Sequence, residues 1–144
     1  MPDARTALPD VNVLVALTNP AHVHHERAHR WLKGVAAFAT TPITESGLLR
    51  LLLNSAVVGQ DVTGEQALTV VRRLRADPRC SFLPDEATLA DPSVDLIGLA
   101  GYRHVTDFHL ANLAAAHGAV LVTFDRRIPG MLVGDDRRYV HVLT

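Results

Sequence analysis

The chain is poor in cysteine, aromatic residues and long apolar runs. Its single cysteine, Cys80, excludes an internal disulfide and a zinc site built on cysteines. Aromatic residues make up only 5%, so an extensive stacking surface for single-stranded nucleic acid is not expected. No apolar run approaches the ~20 residues of a membrane span, and residues 1–5 lack the pattern of a signal peptide. We therefore expect a cytoplasmic protein with no membrane partner.

What the chain does contain is typical of one globular domain. Hydrophobic residues make up 48% and charged residues 20% of its 144 residues, and no repeat or linker divides it, so we predict a single domain over residues 1–144. The net charge of −1 argues against a protein that coats nucleic acid nonspecifically. Every basic residue except Lys33 is an arginine, and Arg126 and Arg127 directly follow Asp125. Arginine suits phosphate groups and base edges.

Strand and helix signals alternate along the sequence. Strands are predicted at residues 6–9, 35–40, 80–83, 119–124 and 139–143. Helices are predicted at residues 11–18 and 23–31, after Thr41-Pro42, after a Thr63 capping box, at residues 91–100, and from a Thr106 cap to His117-Gly118. This order predicts an α/β fold with a central parallel sheet flanked by helices.

Four acidic residues lie where strands end or helices begin. Asp10 and Asp125 end predicted strands, whereas Glu45 and Asp107 fall in the first turns of predicted helices. In open α/β sheets, ligands bind outside the carboxyl ends of the strands. Two unit charges at 4 Å repel by about 4 kcal/mol at an effective dielectric near 20, so converging carboxylates need a cation. Oxygen ligands without cysteine favour Mg²⁺ or Mn²⁺, and such an ion can activate water for phosphodiester hydrolysis.

The same positions carry a family resemblance. The motifs are Leu8-Pro9-Asp10-Val11-Asn12, Thr41-Pro42-Ile43-Thr44-Glu45, Val105-Thr106-Asp107 and Val122-Thr123-Phe124-Asp125-Arg126. In order and approximate spacing they resemble the four acidic motifs of PIN-domain nucleases, most of all the VapC toxins of bacterial toxin–antitoxin pairs. The resemblance spans nearly the whole chain.

The resemblance implies a PIN-like domain with Mg²⁺- or Mn²⁺-dependent endoribonuclease activity on an RNA substrate. It also implies a homodimer and inhibition by a small cognate antitoxin. The resemblance implies that the four acidic residues of the family correspond to Asp10, Glu45, Asp107 and Asp125. Of these, Asp10 and Asp107 are the expected direct metal ligands. Asn12 and Thr123 either orient these carboxylates or only cap a helix and a strand end, and both interpretations stay open.

Two other functions compete with this hypothesis. A catalytically silent PIN-like module that only binds a partner is the main alternative, although the intact acidic quartet argues against it. A signalling receiver domain also gathers carboxylates around Mg²⁺, but it needs a lysine late in the chain and the only lysine is Lys33.

A cluster of histidines offers a further candidate site. His25 and His29 are one helical turn apart and could supply two zinc ligands, but no third strong ligand is evident nearby. The preferred interpretation of His22, His24 and His25 is an exposed helix start, with RNA stacking by one of them as an open alternative. The remaining RNA contacts are expected from Arg126, Arg127 and Arg50.

Overall fold

The five strands form one parallel sheet. The computed structural model describes residues 4–144, so residues 1–3, which entered the signal-peptide argument, lie outside the described residues. The strands are β1 (Ala7–Pro9), β2 (Phe38–Thr40), β3 (Cys80–Phe82), β4 (Val120–Thr123) and β5 (Val140–Val142). Their order across the sheet is β3-β2-β1-β4-β5, and every neighbouring pair is parallel. The predicted α/β class with a central parallel sheet is confirmed.

Helices connect and flank these strands. They are α1 (Val11–Thr18), α2 (His25–Lys33), α3 (Pro42–Leu52), α4 (Ser55–Val58), α5 (Gly64–Ala76), α6 (Val105–Ala116) and α7 (Ile128–Met131). Short 3₁₀ turns occupy Tyr102–His104 and Gly134–Tyr139. The Thr63 capping box forms as predicted, because Thr63 Oγ1 accepts from Gln66 N at 3.1 Å and Gln66 Oε1 accepts from Thr63 N at 2.9 Å.

Two predicted local features are wrong. Residues 91–100 form no helix, because side chains elsewhere in the fold take backbone N–H groups of this segment. Ser93 N donates to Asn112 Oδ1 at 2.6 Å, and Asp95 N donates to Asp136 Oδ2 at 2.8 Å. The residue that precedes α6 is His104 rather than Thr106, so Asp107 still lies in the first helical turn.

The neighbouring strands β1 and β4 contribute side chains to a core on each face of the sheet. Side chains alternate along a strand, so Ala7, Val120 and Val122 enter one cluster with α1, α2, α3 and α5, while Leu8 and Leu121 enter the other with α6. A strand that is buried on both faces has a continuous apolar sequence, as expected for a parallel sheet covered by helices.

The strand order reverses between β1 and β4, which places a crevice at their carboxyl ends. Asp10 directly follows β1, and Asp125 lies two residues beyond the end of β4. This switch point therefore positions the first and last of the four predicted acids. Within residues 4–144, no helix has both the length and the apolar character needed to cross a membrane.

Candidate functional site

Asp10 is the most buried of the four acids, at 9% exposure. Its backbone N–H donates to Val122 O at 2.8 Å, which continues the sheet, and its carboxylate caps α1 because Oδ1 accepts from Val11 N at 2.7 Å. Burial raises the pKa of Asp10 and the charge of Asp125 adds to the rise, against hydrogen bonds from Thr123 and Val11 that lower it. A nearby cation would stabilise the charged form of a carboxylate in this environment.

A hydrogen-bond network holds the other oxygen of Asp10. Thr123 Oγ1 donates to Asp10 Oδ2 at 2.9 Å, and Asn12 Nδ2 donates to Thr123 Oγ1 at 3.1 Å. The same hydroxyl accepts from Asp125 N at 3.0 Å, while Asn12 Oδ1 accepts from Phe124 N at 3.2 Å. The structure contains the contacts of both interpretations that the sequence left open: Thr123 bonds the carboxylate directly and Asn12 acts on it through Thr123, and the two side chains also accept from backbone N–H groups at the end of β4.

Asp107 is electrostatically coupled to the two acids at the strand ends. The pKa of Asp107 is raised first by burial, then by the charges of Asp10 and Asp125. It lies in the first turn of α6, so the N-terminus of this helix is within electrostatic range of the two strand ends. We refer to Asp10, Asp107 and Asp125 as the acid group.

Asp125 differs from its two neighbours because an arginine pairs with it. Arg127 donates to Asp125 from its backbone N at 2.9 Å, from Nε at 3.0 Å and from Nη2 at 2.9 Å. These bonds lower the pKa of Asp125, with the side-chain hydrogen bond of Arg127 as the largest cause. The acid group therefore contains two carboxylates with raised pKa values and one that is already paired.

Glu45 has other partners in this structure. Its Oε2 accepts from Thr40 Oγ1 at 2.6 Å and lies 3.6 Å from Nε of Arg75, which itself stacks over Phe82. The charge of Asp125 acts on Asp10, and the charges of Asp10, Asp125 and His104 act on Asp107, whereas Glu45 acts on neither. Of the four predicted acids, the structure brings three together and holds Glu45 beside Arg75.

His104 also lies at the site, although it was not among the residues predicted from the sequence. Its Nδ1 lies 3.8 Å from Asp107 Oδ2, and its charge when protonated acts on Asp125 as well. The signal that could have found it is its position three residues before Asp107, which places both on one side of a helical turn. His109, by contrast, bonds to Asp85 Oδ1 at 2.7 Å.

His25 and His29 have structural partners on α1. His25 Nδ1 bonds to Ala16 O at 2.7 Å and His29 Nε2 to Leu17 O at 3.1 Å, so both rings satisfy carbonyls at the helix C-terminus. Among the residues that the structure describes, no three His, Cys, Asp or Glu side chains are grouped closely enough to hold a metal by themselves. The zinc interpretation of these histidines has no third ligand.

The acid group fits a hard divalent cation that keeps part of its water shell. Magnesium is commonly bound through one or two carboxylates plus waters and substrate phosphates, without a complete protein cage. Asp10 and Asp107 are the two carboxylates whose charges are least compensated. All the donors are oxygen atoms, which is the chemistry that Mg²⁺ and Mn²⁺ prefer.

Known proteins resemble this chain in sequence. Residues 7–131 match the family described as PIN domain. Ribonuclease VapC38 of Mycobacterium tuberculosis is 44% identical over 140 residues, which are 96% of this chain and 98% of that protein. Ribonuclease VapC39 of the same organism is 42% identical over 123 residues, 83% of this chain and 88% of that protein.

Solved structures share the fold at low sequence identity. The crystal structure of Mycobacterium tuberculosis VapC20, described as a sarcin–ricin loop cleaving toxin, has a TM-score of 0.61 at 15% identity and covers 89% of this chain and 97% of that one. PAE2754 from Pyrobaculum aerophilum has a TM-score of 0.59 at 23% identity, and the match covers 91% of this chain and 82% of that one. Sequence and fold agree: this chain belongs to the PIN-domain family, in its VapC group.

Proposed function

We propose that this protein is a metal-dependent endoribonuclease. The observation that carries the proposal is the acid group, in which burial and mutual repulsion raise the pKa values of Asp10 and Asp107 at the switch point of the sheet. The sequence relatives named Ribonuclease VapC support the same activity, since they match 83–96% of this chain at 42–44% identity.

Asp10 and Asp107 are the residues that would hold Mg²⁺, with Mn²⁺ as a substitute. When bound, such an ion lowers the pKa of water and stabilises negative charge on phosphodiester oxygens. Thr123 fixes the orientation of Asp10, and Asn12 fixes the hydroxyl of Thr123. Partners of this kind commonly change metal affinity or activity 10- to 100-fold when they are removed.

The reaction adds water across a P–O bond of RNA. The oxygen of water bonds to phosphorus, the bond to a ribose oxygen breaks, and that oxygen leaves with a proton. One phosphate end and one hydroxyl end result. Asp125 and Glu45 complete the proposed catalytic quartet. Asp125 adds negative charge beside Asp10 and Asp107, and Glu45, which lies beside Arg75, would help to position water.

Arginines around the acid group are suited to the backbone of RNA. Arg126 is exposed next to Asp125, and Arg50 lines a groove of about 470 Å³ that Val11 and Thr106 also line. These two residues flank Asp10 and Asp107 in sequence, so the groove runs beside the proposed metal ligands. Arginine is an effective phosphate ligand because its guanidinium donates two parallel hydrogen bonds.

The biological role that we propose is the toxin of a toxin–antitoxin pair. Membership of the VapC group supports a small cognate antitoxin as partner. The assembly that we propose is the homodimer that the family resemblance implies. Light scattering on the purified protein tests the dimer directly, and a monomer mass would contradict it.

The decisive experiment is cleavage by the protein purified free of any partner. We expect cleavage of at least one substrate in a panel of transfer, ribosomal and messenger RNA with Mg²⁺ or Mn²⁺, loss of cleavage with EDTA, and loss in Asp10→Asn. If all RNA stays intact, the catalytically silent module becomes the better description. Mapping the RNA ends in cells that express the wild type or Asp10→Asn then identifies the target.

A further inference from the structure

Three rings pack in series beside the acid group. The rings of His24 and Phe124 are stacked, with centroids 4.7 Å apart and planes at 28°. The ring of His22 continues the series, with its centroid 5.7 Å from that of His24 and a tilt of 47°. We refer to His22, His24 and Phe124 as the ring ladder. All three residues are half-buried, so the ring ladder lies at the surface and not in the core.

The ring ladder begins at the acid group. Phe124 lies between Thr123, which bonds to Asp10, and Asp125. Its backbone N–H donates to Asn12 Oδ1 at 3.2 Å, and Asn12 also bonds to Thr123. The network that orients Asp10 therefore also fixes the backbone from which the Phe124 ring projects.

The hydrogen bonds inside the ring ladder leave one donor free on each histidine. Arg27 Nη1 lies 3.1 Å from His24 Nδ1, and a guanidinium can only donate, so His24 Nδ1 is the acceptor and Nε2 carries the proton. His24 N donates to His22 Nδ1 at 3.0 Å, which puts the proton of His22 on Nε2 as well. Neither Nε2–H has a hydrogen-bond partner within residues 4–144, so both are available to a ligand.

Helix capping does not account for the position of His24. His24 precedes α2, but its side chain makes no capping hydrogen bond to that helix. The ring instead lies on Phe124, and the guanidinium of Arg27 lies 5.5 Å from the centroid of the same Phe124 ring. Burial lowers the pKa of His22, with the charges of His24 and His25 adding to the effect, which favours an uncharged ring at neutral pH.

Half-exposed flat rings, a neighbouring arginine and free N–H donors together match the chemistry of an unpaired nucleobase. Proteins bind single strands by stacking bases on aromatic side chains while cationic groups contact the backbone. RNA recognition commonly uses histidine and arginine planes for such stacking, and N–H donors then meet acceptor atoms on base edges.

We propose that the ring ladder is a nucleobase-binding site of the RNA substrate. A base splayed out of a single strand stacks on the ladder and accepts a hydrogen bond from a histidine Nε2–H, while an adjoining phosphodiester lies at the acid group. Arg27 holds the His24 ring in place and supplies positive charge. This inference rests on the proposed endoribonuclease function and adds the site that places the strand.

The probe is a set of short single-stranded RNA oligonucleotides, each with one 2-aminopurine at a successive position, mixed with the full chain in EDTA. The fluorescence of 2-aminopurine falls when the base stacks, so wild type should quench it most at one or two adjacent positions. We expect His24→Ala to abolish this position-specific quenching and to weaken RNA binding about five-fold or more. His24→Tyr, which retains a flat ring, should restore both.

Two further variants distinguish the loss of base stacking from a general loss of folded structure. Phe124→Leu keeps apolar volume in the core but removes the aromatic face, and it should reduce the quenching as His24→Ala does. His141→Ala removes an exposed histidine from β5 and is the matched control, expected to quench as wild type does. Melting curves followed by circular dichroism establish that each variant is folded at the assay temperature.

The failure of this inference differs from the failure of the proposed function. If wild type cleaves RNA with Mg²⁺ but His24→Ala and Phe124→Leu bind and quench as wild type does, the ring ladder is only a packing contact. If quenching needs the ladder but no RNA is cleaved under any metal condition, the binding site stands and the nuclease proposal falls.

Discussion

The hydroxyl of Thr123 donates a 2.9 Å hydrogen bond to Asp10 Oδ2, joining two residues that are 113 positions apart in the sequence. One residue ends β4 and the other follows β1, and these strands are neighbours in the sheet with Pro9 paired to Val122. The bond opposes the pKa rise that burial causes at Asp10 and keeps the carboxylate in one orientation. It is therefore the contact through which the sheet positions the proposed metal ligand.

Thr123→Val should lower RNA cleavage by roughly 10- to 100-fold, because Asp10 loses the donor that orients it. The valine also leaves Asn12 Nδ2 and Asp125 N without an acceptor, so we expect a stability loss of about 1–3 kcal/mol in urea unfolding. Thr123→Ser keeps the hydroxyl and is the matched control. Equal cleavage by the valine and serine variants would show that orientation of Asp10 does not limit the reaction.

Asp10→Asn should abolish cleavage and yet raise the melting temperature of the metal-free protein at neutral pH. Since the pKa of Asp10 is raised in the folded state, the native protein binds the extra proton, and its ionised form is destabilising above that pKa. The gap in melting temperature should close as pH falls below 3.8, where Asp10 is protonated in folded and unfolded chains alike. Calorimetry in EDTA at several pH values measures this gap. A variant less stable than wild type at neutral pH would contradict the argument.

Arg127→Gln should strengthen binding of Mn²⁺, measured by isothermal titration calorimetry. The side chain of Arg127 donates two hydrogen bonds to Asp125, and their loss should raise the pKa of Asp125 and leave its negative charge without a cationic partner. Arg126→Gln removes the same charge from the exposed neighbour and is the control for a general charge effect. If the two variants gain affinity equally, pairing with Asp125 has no specific influence on the metal.

Glu45→Gln tests whether the fourth acid takes part in catalysis. A glutamine oxygen can still accept from Thr40 Oγ1, so we expect little change in stability together with reduced kcat for RNA cleavage. Arg75→Gln removes the cation 3.6 Å from Glu45 without touching the carboxylate, and it should leave more cleavage activity than Glu45→Gln does. Wild-type kcat in Glu45→Gln would limit the role of Glu45 to pairing with Thr40 and Arg75.

Asp77→Asn should destabilise the protein at neutral pH and do so less in acid. Asp77 bonds Arg79, whose Nη1 donates to Leu32 O at 2.6 Å, so the pair connects the end of α5 to the last turn of α2. Hydrogen bonds from Arg79 lower the pKa of Asp77, so this stabilisation is present above 3.8 and is lost as pH falls through the lowered pKa. Thermal melts between neutral and acidic pH measure it, with exposed Asp91→Asn as the control. A pH-independent difference would rule out the ion pair as its source.

The sheet and most of its helices were predictable from local patterns. Apolar runs at residues 6–9 and 119–124 contain β1 and β4, and the Thr63 capping box starts α5 where the pattern placed it. The same reasoning failed at residues 91–100. There Asn112 and Asp136 take backbone N–H groups from a distance, and no local pattern carries that information.

The sequence by itself determined the α/β class, the family resemblance and the four acidic positions, because periodicity, capping residues and motif order are local properties of the chain. Only the tertiary structure decided which charges meet. The charges of Asp10 and Asp125 act on Asp107, and His104 lies beside Asp107. Asp125 pairs with Arg127 and Glu45 with Arg75. The ring of His24 stacks on that of Phe124. Such pairings depend on distances between distant segments, and Coulomb energies and ring contacts change over a few ångströms. That scale is set by how helices pack on the sheet.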